Sequence, residues 1–74
     1  MLGRYDEAIA DYGTALRLRP RLVSALVARA DAYSAKGENE NAVADFERAT
    51  ALDRDAAVNY PGIAEKLLRR GAAR

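Results

Sequence analysis

The chain contains no cysteine, no histidine and no tryptophan. Without cysteine it can form neither a disulfide nor a thiolate metal site, and without histidine it lacks the commonest general base and the imidazole ligand of zinc. Nucleophilic catalysis of the Ser–His or Cys–His kind is therefore excluded. The five glycines are dispersed, so no glycine-rich phosphate loop is formed. These absences predict a protein that is not an enzyme and that carries no cofactor and no metal.

An excess of charge of one sign is also missing. Twelve Lys and Arg residues face eleven Asp and Glu residues, for a net charge of +1, whereas nucleic-acid binders usually carry a strong basic surplus. No apolar run approaches the roughly 18 residues of a membrane span, and no signal-peptide pattern is visible. The sequence thus predicts by default a cytoplasmic protein that does not bind a membrane, and it disfavours nucleic-acid binding, for which the basic residues Lys66, Arg69, Arg70 and Arg74 are the candidates. If the chain is a fragment, its compartment is left open.

What the sequence does contain is an internal repeat. Six residues recur 34 positions later in a chain of 74. The identical pairs are Gly3 and Gly37, Ala8 and Ala42, Ala10 and Ala44, Asp11 and Asp45, Ala15 and Ala49, and Leu18 and Leu52. A fixed period of about 34 residues is typical of helix–turn–helix repeat arrays.

Apolar residues at helical spacing predict four helices. The expected helices cover about residues 4–18, 22–35, 39–52 and 59–70. Pro20 ends the first helix, because the residue before a proline is disfavoured in the helical region, and Gly37 is suited to the left-handed conformation that ends the second. Pro61 cannot donate a backbone hydrogen bond, so the fourth helix is expected to begin at about Asn59 and to end at Gly71.

Residues placed on these helices give the chain a resemblance to the tetratricopeptide repeat (TPR) family. Two stretches match the second helix of that family: the first has Tyr5, Ala8, Tyr12, Ala15 and Pro20, and the other has Gly37, Ala42, Phe46 and Ala49. Two other stretches match the first helix of the family: one has Leu26, Ala30 and Tyr33, and the other has Tyr60, Ile63, Ala64 and Leu67. The chain departs from the family pattern at Arg29, where an apolar residue is preferred, at Asn39, and at Arg54, which replaces a proline. The resemblance implies an all-α fold in which antiparallel helix–turn–helix repeats stack as a short α-solenoid, one module over residues 1–74.

The resemblance also implies a protein–protein interaction scaffold whose first helices line a concave groove. The candidate groove residues are Ser24, Val27, Ala28, Asp31 and Ser34 on the second helix and Glu65, Leu68 and Arg69 on the fourth. The expected occupant is a peptide or a helix of another protein. Most carboxylates, among them Asp45, are expected on exposed helix faces.

Two alternatives follow because the chain begins with the second helix of one repeat and ends with the first helix of another. Arrays usually need about three repeats for stability, and the apolar stripe of the first helix has no cap. The chain is then either a fragment of a longer TPR array or a homo-oligomer formed through that stripe. The self-association candidates are Tyr5, Ile9, Tyr12 and Leu16.

Overall fold

The computed structural model describes the backbone of residues 3–72 and the side chains of residues 4–67, and all regular structure in this range is helical. The helices are α1 (Gly3–Leu18), α2 (Val23–Lys36), α3 (Asn39–Leu52), α4 (Ala56–Asn59) and α5 (Pro61–Ala72). The all-α repeat fold expected from the sequence is confirmed. The bounds of α1, α2 and α3 differ from the expected ones by at most one residue.

The fourth expected helix is divided in two at Tyr60. Because Pro61 lacks an N–H and its ring displaces the preceding residue from the helical region, Tyr60 has φ −127° and ψ 64°. The Tyr60 N–H still donates to the Ala56 carbonyl at 2.9 Å, and the Ala64 N–H donates to the Tyr60 carbonyl at 3.1 Å. The two helices are thus hydrogen-bonded on both sides of the break.

Helical structure in this region begins earlier and ends later than the sequence predicted. The start at about Asn59 is wrong, because the Asp55 N–H donates to the Asp53 carboxylate at 3.0 Å and forms a turn from which α4 begins at Ala56. The end at Gly71 is wrong by one residue, since α5 continues to Ala72. A glycine is tolerated near a helix end at modest cost, so its presence does not by itself stop the helix.

The turn between α2 and α3 has the geometry expected for a glycine. Gly37 adopts φ 87°, a left-handed conformation that a residue with a Cβ atom adopts only with strain. The Gly37 N–H donates to the Ser34 carbonyl at 3.0 Å, and the Glu38 N–H donates to the Tyr33 carbonyl at 2.9 Å. This pair of bonds satisfies the last carbonyls of α2 and reverses the chain.

Helix α2 lies at the centre of the packing and contacts α1, α3 and α5. Short connections of the kind found at residues 19–22 and 37–38 make neighbouring helices antiparallel. The buried core comprises Leu16, Ala25, Leu26, Val27, Ala30, Ala42, Phe46, Ala49, Ile63, Ala64 and Leu67. Several of these are alanines with no exposed surface, and small side chains at a contact allow two helices to approach closely.

Candidate functional site

A groove of about 450 Å³ lies between α2 and α5. It is lined by Ser24, Val27, Ala28 and Asp31 from α2, by Tyr60 at the helix break, and by Gly62, Ile63 and Lys66 from α5. We call it the α2–α5 groove. Its floor is apolar, because Val27 and Ile63 are buried there, and its rim is polar.

The structure brings together half of the residues that the sequence predicted for a groove. Four predicted residues of α2, from Ser24 to Asp31, line one wall. Ser34 and Glu65 are not among the lining residues. The side chains of Leu68 and Arg69 lie outside the described part of the chain.

The opposite wall was missed, although a signal for it existed. Gly62, Ile63 and Lys66 follow one another at helical spacing, and Tyr60 precedes them. Sequence reasoning assigned Ile63 and Tyr60 to packing only. In the structure both residues pack in or against the core and also line the groove. They can do so because they lie at the boundary between the core and the groove.

An ion pair crosses the rim of the groove. The Lys66 ammonium of α5 donates to the Asp31 carboxylate of α2 at 3.2 Å, and both side chains are largely exposed. An exposed pair of this kind contributes between roughly zero and 1 kcal/mol to stability. It can therefore open toward a ligand at small cost, and it presents one charge of each sign.

Ser34 stands apart from the other predicted groove residues. It is only 3% exposed, and its hydroxyl oxygen has no hydrogen-bond partner among the residues that the structure describes. The position faces the protein interior at the end of α2 and offers no surface to a ligand. Its assignment as a groove residue rested on helical spacing, which gives the direction of a side chain but not what covers it.

The predicted edge of α1 is divided between surface and core. Tyr5 is 40% exposed, and Ile9 and Tyr12 are half-buried. Leu16 belongs to the core. A contact with another molecule through this edge can therefore use Tyr5, Ile9 and Tyr12, but not Leu16.

The sequence suggested that Asp45 lies on an exposed helix face, but the structure buries it. Its exposed fraction is 7%, and its carboxylate is paired. The Arg29 guanidinium donates two hydrogen bonds to its carboxylate, from Nε at 2.7 Å and from Nη2 at 2.9 Å. These bonds raise the pKa of Arg29, and the guanidinium lies 5.8 Å from the centre of the Tyr33 ring. The departure from the family pattern at Arg29 is thus matched by an acidic partner on α3.

A second charged cluster ties the start of α1 to the end of α2. Lys36 donates to the carboxylate of Asp6 and forms an ion pair with Glu38 at 3.0 Å, while the Asn41 amide donates to Glu38 at 2.9 Å. The bond to Asp6 is the largest reason that the pKa of Lys36 is raised, and the bond from Lys36 is the largest reason that the pKa of Glu38 is lowered. The contribution of Glu38 to stability is therefore present at neutral pH and is lost as pH falls through its lowered pKa. This cluster is structural.

Neither a metal-binding cluster nor a membrane-spanning helix is found within residues 3–72. No group of three or more acidic side chains is arranged to hold a metal ion there. None of the helices in that range combines the length and the apolar character that crossing a bilayer requires.

Comparison with known proteins agrees with this geometry. Two family models match, one described as TPR repeat over residues 2–37 and one as tetratricopeptide repeat over residues 23–56. Two curated relatives, both named for protein C of the cellulose synthase operon, come from Escherichia coli strain K12 and E. coli O157:H7. Each is 45% identical over 51 residues, which are 69% of this chain and 4% of the relative.

The chain thus spans a small part of the length of the curated relatives it matches, and no solved structure matches it significantly. Repeats of this kind are protein–protein interaction modules and are typically not catalytic. The two matched stretches together span residues 2–56, which include α1, α2 and α3. The chain belongs to the tetratricopeptide repeat family and carries about two of its repeats.

Proposed function

We propose that this module binds an extended peptide or a helix of another protein in the α2–α5 groove. The observation that carries the proposal is the groove itself, about 450 Å³ with residues of two helices on its walls. Ligand sites are typically concave and mostly apolar, with a few polar groups that orient the ligand. Val27 and Ile63 supply the apolar surface, and Asp31 and Lys66 supply the polar groups.

The chemistry of the groove determines what it can bind. A small or medium apolar side chain of the ligand can be buried over Val27 and Ala28, since removing apolar surface from water is favourable. The exposed Asp31 and Lys66 can exchange their bond with each other for bonds to the ligand. A peptide with an apolar anchor flanked by charged residues fits this arrangement. The module acts by binding alone, which is consistent with a chain that lacks histidine and cysteine.

Gly62 allows the groove to be blocked without disturbing the core. A Cβ atom added at Gly62 meets nothing within 4 Å, and leucine is a better helix former than glycine. We expect Gly62→Leu to keep the helicity of the protein while filling the groove. Peptides selected from a displayed random library on the wild-type chain should bind this variant at least about tenfold more weakly, a loss of about 1.4 kcal/mol.

Ala44→Leu is the matched control for this experiment, because Ala44 is exposed on α3 and away from the groove. It should bind the selected peptides with wild-type affinity in a fluorescence anisotropy titration. If Gly62→Leu and the wild-type chain bind the selected peptides equally well, or if the library yields no binder, the groove is not the binding site.

Self-association through α1 is a second candidate function, favoured by the 40% exposure of Tyr5 on a helix edge. On this proposal the mass measured by light scattering rises with protein concentration. Ile9→Glu places a charge on the half-buried edge and should restore the monomer mass. Val58→Glu is the control, since Val58 is 76% exposed on α4. A variant Ile9→Glu with the wild-type mass at every concentration would count against the idea.

A further inference from the structure

Two turns of the chain occupy the same place in the 34-residue repeat but differ in charge. The first joins α1 to α2, and the second joins α3 to α4. The first turn consists of Arg19, Pro20, Arg21 and Leu22, which we call the basic turn, and its equivalents in the second are Asp53, Arg54, Asp55 and Ala56. Each arginine of the basic turn thus has an aspartate as its equivalent.

The aspartates of the second turn have a structural task. The Asp53 carboxylate accepts a hydrogen bond of 3.0 Å from the Asp55 N–H, which closes the turn ahead of α4. The basic turn is closed without its side-chain charges, because Pro20 restricts the backbone and the Leu22 N–H donates to the Arg19 carbonyl at 3.1 Å. The fold therefore gives no reason for the two positive charges of the basic turn.

These two charges are available to another molecule. Arg19 and Arg21 are exposed, and neither forms an ion pair with a residue in the range 4–67. Arg17, in the last turn of α1, is exposed as well, and its guanidinium donates to the uncharged Thr14 hydroxyl at 3.4 Å. Three cations thus lie at or beside one turn, and within that range no carboxylate is paired with any of them.

A pocket of about 360 Å³ lies at the basic turn and is lined by all four of its residues. The surface of this pocket is almost entirely apolar. Pro20, Leu22 and the methylene stems of the two arginines supply such a surface, since long basic side chains expose apolar stems below their charged groups. The pocket can therefore bury a small apolar side chain while the guanidinium groups bind elsewhere on the same ligand.

We propose that the basic turn binds an acidic segment of a partner protein in which one apolar residue is flanked by glutamates or aspartates. The apolar side chain fills the pocket. The flanking carboxylates accept hydrogen bonds from Arg19 and Arg21, whose planar guanidinium groups suit paired bonds to a carboxylate. The pocket shares no lining residue with the α2–α5 groove, so this inference goes beyond the proposed function.

The surface fits such a segment better than it fits other anionic molecules. Proteins that bind single-stranded nucleic acid stack the bases on aromatic side chains, and the basic turn contains none. Binding to a duplex depends on neutralising many phosphates, whereas the whole chain has a net charge of +1. A second copy of the chain would offer its turn of Asp53 and Asp55, where the residue between the two acids is Arg54 rather than an apolar one.

An NMR titration of the isotope-labelled chain with the synthetic peptide acetyl-Gly-Glu-Glu-Leu-Glu-Glu-Gly-amide tests the proposal. We expect the amide signals of Arg19, Arg21 and Leu22 to shift, and the affinity to fall as salt is raised, because exposed charges are screened. The double variant Arg19→Gln with Arg21→Gln should bind at least about tenfold more weakly. A peptide with serine in place of leucine should also bind more weakly, since it leaves the pocket unfilled.

Two control variants separate this site from general charge and from the groove. Arg4→Gln with Arg48→Gln makes the same change of net charge at exposed positions of α1 and α3 and should alter the affinity by less than about twofold. Gly62→Leu, which fills the α2–α5 groove, should bind the peptide as the wild-type chain does. All of these substitutions are at exposed positions, so the helicity recorded by circular dichroism should be unchanged.

Four results would overturn the proposal. The first is the absence of binding, and the second is an equal loss of affinity in the two arginine double variants. The third is weaker binding by Gly62→Leu, which would place the peptide in the α2–α5 groove. The fourth is an oligothymidylate that binds the basic turn more tightly than the peptide does, which would assign the turn to nucleic acid.

Discussion

Asp45→Ala is expected to lower the free energy of unfolding by about 3 kcal/mol, because it leaves the Arg29 guanidinium partly buried without its counterion. The pair forms two short hydrogen bonds between α2 and α3. These two helices make the most extensive helix–helix contact among the described residues. For a module of this size such a loss is a large part of the whole stability. Urea unfolding followed by circular dichroism measures it.

The repeat provides the control for this variant. Asp11→Ala removes the equivalent acid from α1, where it is exposed, and should change stability by less than about 0.5 kcal/mol in the isolated chain. The double variant Arg29→Leu with Asp45→Ala should recover part of the loss, since an apolar pair carries no unpaired charge. Equal midpoints for Asp45→Ala and Asp11→Ala would show that the ion pair contributes nothing to stability.

Leu26→Ala is expected to lower the free energy of unfolding by about 2–5 kcal/mol through lost burial and the cavity that remains. Leu26 is 1% exposed and is the largest fully buried side chain among the described residues. It lies in α2, which contacts α1, α3 and α5. The same urea experiment measures the effect, and the helical signal in water shows whether the variant still folds.

Leu18→Ala makes the same chemical change on the surface. Leu18 is 80% exposed at the end of α1, so its truncation should cost less than about 0.5 kcal/mol. The contrast between the two leucines separates burial from helix propensity, because both substitutions replace leucine by alanine within a helix. A similar loss of stability for both would contradict the assignment of Leu26 to the core.

One wall of the groove could be predicted from the sequence because it depends on a single helix. Ser24, Val27, Ala28 and Asp31 share a face by their spacing alone. The second wall depends on where α5 lies against α2. That position follows from the break at Tyr60, and no periodicity encodes it. Ile63 and Lys66 could be placed on a helix from sequence, but not opposite Asp31.

Burial of polar residues was the other part that sequence reasoning missed. The pattern gave no sign that Asp45 is covered, since an acid on a helix is usually solvated. From the sequence, its partner Arg29 stands out only as a departure from the family pattern. The two lie sixteen positions apart, too far for the spacing of residues within one helix to bring them together.

The sequence by itself determined the first three helices, the repeat and the absence of histidine and cysteine chemistry. Helix periodicity and glycine or proline signals act over a few residues, so they can be recognised without knowing the fold. Only the tertiary structure decided which stripe is covered. Asp11 and Asp45 occupy the same place in the repeat, yet one is exposed and the other is buried in an ion pair. The difference arises because Arg29 of α2 reaches Asp45 on α3 and pairs with it, whereas Asp11 on α1 lies at the exposed surface.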